Sequence, residues 1–278
     1  MSCQLCDMNH EEIAQQFEVS GRLGSVQPIG SGNVNNTYLA AFQSGSSEEQ
    51  IIVQRINSHV FSNPEWIMAN IRILTDYCDK KLQLENESAD RIWQLPRIVP
   101  CRDGKDYFVD AEGGHWRALT LIASATAHDI VQSGQHAYEV GSVLGQFHRM
   151  VDGLDTSGLH DTLPGFHITP GYLEQYDAVS GSERAKELTK KSKDAEQLQQ
   201  FIEERRELAH ILENAFAAGE LKLRLIHGDP KVSNIMIDND SGKGIAMIDL
   251  DESIVLLKLA FLLNLMAIFI LDMQSQSV

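Results

Sequence analysis

Basic residues are scarce in this chain. Lysine and arginine together number 23 against 39 aspartates and glutamates, a formal charge of −16 over 278 residues. A surface of that sign repels a phosphate backbone, which argues against nucleic acid as a partner. Cysteine is scarce too. Four (Cys3, Cys6, Cys78, Cys101) are too few for a disulfide framework in a chain this long. The amino terminus, MSCQLCDMNHEE, lacks the basic-then-apolar pattern of a secretory signal. These absences point to the cytoplasm. Apolar material is plentiful by contrast. With 43% hydrophobic and 22% charged residues, the composition excludes a disordered or collagenous chain. At about 150 residues per domain, the length suggests two lobes or one large domain.

One apolar run, residues 254–271, is interrupted only by Lys258 and Asn264. Its length just reaches that of a membrane span. Lys258 would be costly in lipid and no basic cluster flanks the run, so a segment packed against the protein, or left exposed, is expected instead.

Turn signals and periodicity divide the rest. Residues 1–12 read as a loose polar lead-in and 17–26 as mixed. Strands are expected over 38–42 and 51–56, joined by the turn-rich QSGSSEEQ at 43–50. Asn63 and Pro64 read as the cap and first position of a helix, with Trp66, Ile67, Asn70, Ile71 and Leu74 at helical spacing. Short strands follow over 92–99, 107–109 and 116–122. Beyond residue 123 the pattern turns helical: Val140, Val143, Leu144, Phe147 and Val151 form one stripe. A long charged amphipathic stretch, 182–218, reads as two helices or one bent helix. The implied fold class is α+β: a β-rich lobe over 1–122, a helical lobe over 123–251 and an atypical apolar tail over 252–278.

Chemistry concentrates in HGDPKVSNIMID, residues 227–238. His-x-Asp-x-x-x-x-Asn has the spacing of a kinase catalytic loop. Asp229 can accept the proton of an attacking hydroxyl, and Asn234 can reach a metal ion on nucleotide phosphates. Lys231 can offset charge on the transferred group. A turn at NDSGKG, 239–244, returns a strand over 245–248 beside 235–237, delivering Asp249 to the same end as Asn234. One carboxylate and one amide there suit Mg²⁺. Upstream, Gly30, Ser31, Gly32, Asn33 and Asn35 occupy the place of a phosphate-covering loop, where small residues let backbone N–H groups approach phosphates. Arg55, on the next hairpin strand, is a cation that can contact two phosphate oxygens.

The segments HGDPKVSNIMID, IDLD and GSGNVNNTY…IIVQRIN together resemble the aminoglycoside phosphotransferase/choline kinase-like superfamily over about residues 20–251. The QRIN strand and the lysine before the loop asparagine look most like the N-acetylhexosamine 1-kinase group. The resemblance implies a bilobal protein kinase-like fold, ATP with Mg²⁺, and γ-phosphate transfer to a hydroxyl of a small molecule. It makes Asp229 the catalytic base, Asn234 and Asp249 the metal ligands, Arg55 the nucleotide-pairing cation and residues 30–35 the phosphate loop. It makes Thr120, Leu121 and Ile122 the hinge that hydrogen-bonds adenine through its backbone. Family members continue past the metal-binding Asp with polar helices, whereas residues 252–278 bear no likeness to that segment. A truncated or frame-altered product is the expectation this raises, and an inactive kinase-like fragment or nucleotide-binding pseudokinase is the alternative function.

Other candidates carry less. Cys3, Cys6 and His10 fall short of the four ligands of a structural zinc site. His148 reads as a polar-face residue, and His167 lies in a loop that reads equally as a surface turn or, by the resemblance, as a loop that can face the acceptor. His227 reads as a residue that fixes the catalytic loop through backbone hydrogen bonds.

Overall fold

A computed structural model describes residues 9–30, 34–86, 91–252 and 254–257. They divide into two compact units. The first holds the described residues up to Leu163 together with His227–Ile254; the second holds Pro164–Ile226 and the described residues from Val255.

The first unit opens with α1 (His10–Ala14). Asn9 caps it: its side chain accepts the Glu12 N–H at 2.9 Å, and the Glu12 carboxylate accepts the Asn9 N–H at 3.1 Å. This reciprocal box makes a helix where a loose lead-in was expected. Strands β1 (Arg22–Pro28), β2 (Asn36–Ser44) and β3 (Ser47–Arg55) follow as an antiparallel meander. The β2–β3 turn is tighter than expected, since Ser44 pairs with Ser47 and Gly45 takes φ +62°. Only two residues remain in the loop, the length that matches strand twist, and glycine takes the left-handed position without strain.

Pro64 opens α2 (Pro64–Asn86) as expected, and Ile67, Ile71, Leu74, Cys78 and Leu82 bury one stripe of it. Short strands β4 (Ile98–Val99) and β5 (Phe108–Val109) flank β6 (His115–Thr120). The strand expected over 92–99 shrinks to its last two residues, because Pro96 has no N–H to give a ladder. The sheet order is β1-β2-β3-β6-β4, with β5 also on β6. On one face Phe42, Ile51, Val53, Trp116 and Ala118 pack with Ile13 and Phe17 into a single core. Successive side chains alternate faces, so Gln54 and its register partner Arg117 lie on the other side.

Strand β7 (Ala125–Thr126) leads to α3 (Gly134–Val151), capped by the Ser133 hydroxyl, which accepts the His136 N–H at 3.1 Å. The expected apolar stripe of α3 is buried.

The second unit carries α4 (Thr169–Ser180), α5 (Glu183–Lys191), α6 (Lys193–Glu204), a 3-10 turn over Arg206–His210, α7 (Ile211–Ala217) and strand β8 (Leu223–Ile226). The amphipathic stretch is thus cut into more pieces than expected. Ser192 makes the break, ending α5 and capping α6, where its hydroxyl accepts the Ala195 N–H at 3.3 Å. Arg206 ties α4 to α6 through Asp177 at 2.8 Å and Glu203 at 2.9 Å.

Back in the first unit, β9 (Ile235–Asp238) and β10 (Gly244–Met247) form the expected hairpin, and β7 adds to β9 as a third antiparallel strand. Strand β11 (Ile254–Leu257) pairs with β8. The rest of the apolar run, from Lys258, lies outside the described residues. Among those described, no helix is long and apolar enough to cross a membrane. An antiparallel sheet followed by a helical part is the α+β class expected.

Candidate active site

The loop ahead of β9 is held from below by His227. Its ring is fully buried, with Nε2 2.8 Å from the Ile248 carbonyl oxygen. Burial pushes the imidazole down to about 4, so it is neutral at pH 7. Facing a carbonyl, Nε2 must carry the proton and donate, which assigns the tautomer. The ring therefore fixes the loop, the role expected of it. Gly228 then takes φ +79° and the loop turns outward.

Asp229 presents a carboxylate that is one-third exposed, with Lys231 Nζ 2.5 Å from Oδ2. The chain folds back through a 3-10 turn over Val232–Asn234. Buried Asn234 donates from Nδ2 to the Asp229 carbonyl oxygen at 2.8 Å, and lies 3.4 Å from its carboxylate. Asp229, Lys231 and Asn234 therefore meet, as their spacing suggested. Asp249 joins them through the backbone: Met247 pairs with Ile235, and the Ile248 N–H donates to the Asn234 carbonyl at 2.9 Å.

Asp249 sits at φ +64°, a left-handed conformation that Asp tolerates better than most residues. Burial raises its carboxyl to about 6, and neighbouring Asp251 adds to the rise, while Arg117 and Lys231 oppose it. Asp251 itself is 2% exposed. Its Oδ1 is 2.5 Å from an Arg117 guanidinium nitrogen, its Oδ2 accepts the Asn35 amide at 2.7 Å, and its carbonyl accepts the Thr162 hydroxyl at 3.0 Å. Arg117, 1% exposed, also donates twice to Gln54 Oε1, at 3.0 and 2.7 Å. Sequence reasoning passed over Asp251, Arg117 and Gln54. The available signal was an arginine inside the apolar strand WRALTLI, because a buried guanidinium must be paired.

The remaining candidates are placed as follows. Gly30, with φ +73°, starts the β1–β2 connection, and Asn35 ends it buried against Asp251. Ser31, Gly32 and Asn33 lie outside the described residues. Arg55 shares its sheet face with Trp116, over whose ring its guanidinium stands at 5.9 Å, and it is 4.0 Å from Asp110. That is the face opposite Arg117, so the structure does not bring Arg55 to the Asp251 cluster. Thr120 ends β6 with its N–H donated to the Arg97 carbonyl at 2.8 Å, and Ile122 is buried with Ile245 and Ala246. A groove of about 550 Å³ along α1 and β1, lined by Glu11, Gln15, Arg22 and Arg102 among others, contains none of these residues.

Among the described residues no three His, Cys, Asp or Glu side chains gather as a metal site. Asn234 and Asp249 offer one amide and one carboxylate oxygen. Such a pair fits Mg²⁺, which takes few protein ligands and completes its octahedron with phosphate oxygens and water. A carboxyl whose ionisation is opposed by burial and by a second carboxylate is also what a divalent cation relieves.

The chain belongs to the phosphotransferase enzyme family (APH), whose profile matches residues 25–255. Among solved structures it is similar to the spectinomycin phosphotransferase APH(9)-Ia in complex with ADP and spectinomycin, at 15% identity and a TM-score of 0.44, over 84% of this chain and 65% of that one. It is also similar to a microcompartment-associated aminopropanol kinase, at 16% identity and a TM-score of 0.48, over 88% of this chain and 69% of the other. An ethanolamine kinase of Plasmodium vivax matches at 15% identity and a TM-score of 0.45, over 84% and 57%. This chain thus spans just under two thirds of the spectinomycin phosphotransferase.

Proposed function

We propose that this protein is an ATP- and Mg²⁺-dependent kinase that phosphorylates a hydroxyl of a small molecule, with a sugar such as an N-acetylhexosamine as acceptor. The observation that carries the reading is the Asp229–Lys231–Asn234 cluster with Asp249 tied beside it by the Ile248–Asn234 hydrogen bond. In this reading Asp229 takes the proton from the acceptor hydroxyl as its oxygen attacks the γ-phosphorus and the bond to the bridging oxygen breaks. Lys231 holds the Asp229 carboxylate in place and offsets charge on the moving phosphoryl group. Asn234 and Asp249 hold Mg²⁺, which supplies charge neutralisation on the phosphates. Residues 1–122 supply the nucleotide side, with residues 30–35 over the phosphates and 120–122 beside the base. The QRIN strand and the loop lysine are the support for a sugar acceptor.

The test is phosphoryl transfer from ATP to a panel of sugars and amino alcohols by the full chain. Asp229→Asn is expected to lower turnover at least ~10²-fold while ATP affinity changes little, since proton acceptance is lost and binding contacts remain. Equal turnover in parent and variant would remove Asp229 from the chemistry.

A further inference from the structure

The buried pair Arg117–Asp251 stands two residues beyond Asp249 and joins elements far apart in sequence. Asp251 is the middle residue of the 3-10 turn that follows Asp249, and three groups hold it: Arg117 on β6, Asn35 just before β2, and Thr162. Arg117 is itself oriented by the two hydrogen bonds to Gln54 on β3, whose amide donates on to the Thr37 hydroxyl at 3.0 Å. Asn35 is fixed at its other end, where Oδ1 accepts the Asn57 N–H at 3.0 Å. On the other side of Asp249, Ile248 is held through both its N–H and its carbonyl.

Asp249 therefore occupies a left-handed backbone position with a fastening before it and another after it. Such a conformation persists only where the surroundings over-determine it. We infer that Arg117 and Asp251 form a positioning pair, which acts through the Leu250–Glu252 turn to aim the Asp249 carboxylate at the divalent cation. Neither side chain needs to touch nucleotide to do this, since each is buried and paired with the other. The inference rests on the kinase reading above and adds two residues to it.

Field and position predict opposite signs, which makes the pair testable. Removing the Arg117 cation near Asp249 would by charge alone tighten Mg²⁺ binding. Loss of aim would weaken it. The experiment is calorimetric titration of ATP into the full chain at stepped Mg²⁺ concentrations, reading the concentration that half-restores nucleotide affinity. Arg117→Met is expected to need at least ~10-fold more Mg²⁺ than the parent, the usual cost of losing a partner that orients a metal ligand. Thr162→Val, which changes no charge and leaves both side chains of the pair intact, is expected to shift the same reading about 3-fold in the same direction. An unchanged or lowered Mg²⁺ requirement in a cooperatively melting Arg117→Met protein overturns the inference. If that variant does not melt cooperatively, an unchanged requirement in Thr162→Val overturns it. A parent whose ATP binding ignores Mg²⁺ overturns the kinase reading and this inference together, whereas Mg²⁺ dependence lost in Asp249→Asn but kept at the parent's Mg²⁺ requirement in Arg117→Met removes the positioning pair alone.

Discussion

Asp249 combines three unfavourable features: a left-handed backbone, a buried carboxyl and a second carboxylate nearby. Asparagine tolerates the same backbone region without the charge. Asp249→Asn should therefore stabilise the metal-free protein at pH 8 by about 1–3 kcal/mol, the scale expected when burial and a second carboxylate raise a carboxyl to about 6. The same change should abolish the Mg²⁺ dependence of ATP binding. Urea melts and calorimetry on one preparation check both halves, and a less stable variant would show that the carboxylate is not strained. His227 sets the opposite pH trend. Its folded value of about 4 lies below that of an unfolded histidine, so the unfolded chain takes up the proton first as pH falls. The stability it contributes is present above about pH 6.5 and is lost on acidification towards 4. Asp249 contributes oppositely as pH falls through 6, but it is common to parent and His227→Gln and cancels in their difference. Between pH 7.5 and 4.5 the parent should lose on the order of 2 kcal/mol more than His227→Gln. Parallel curves would mean the ring is not buried neutral.

Among the secondary elements, α3 bears directly on the hairpin that delivers Asp249. Gly244 opens β10 under that helix, its N–H donated to Glu139 Oε2 at 2.9 Å, and Arg91 joins Glu139 at 2.9 Å. A methyl added at Gly244 would meet the Val143 side chain and come within 3.1 Å of the Glu139 carbonyl oxygen. Gly244→Ala should cost about 1–3 kcal/mol by overpacking, read as a lower urea midpoint at unchanged slope. A midpoint equal to the parent's would show that α3 gives way freely. The hairpin also shows why half of the site was readable beforehand. His227, Asp229, Lys231 and Asn234 fall within eight consecutive residues, and a short turn returns Asp249, so local spacing decides which of them meet. The start of α2 at Pro64 and the α3 stripe were readable for the same local reason. Asn35 and Asp251 stand 216 positions apart, and Gln54 and Arg117 63, so no periodicity links them. Arg55 shows the limit in reverse. Its place one residue after Gln54 is plain in the sequence, but the face it occupies depends on register with β6, which only the assembled sheet reveals.

The whole molecule divides unevenly in its burial. In the first unit the sheet, α2 and α3 seal phenylalanine, isoleucine, leucine and tryptophan side chains away from water. In the second unit α4, α5, α6 and α7 have no buried residue, and Val179, Leu188, Leu198, Phe201 and Phe216 are exposed. Helices of such length gain most of their stability from packing an apolar face, and exposed ones open locally at low free energy. Surface pairs such as Arg206 with Asp177 and Glu203 add little against that deficit. Native-state hydrogen exchange on the full chain should therefore find the amides of residues 169–217 exchanging at least ~10²-fold faster than those of β2, β3, β6 and α3, a gap of the size that separates marginal segments from a folded core. Limited proteolysis should cut first near Gly181, Ser192 or Arg205, where the helical pieces join. Equal protection across both groups of amides would mean that the helices are held by contacts outside the described residues, and the ranking of the two units by stability would fall.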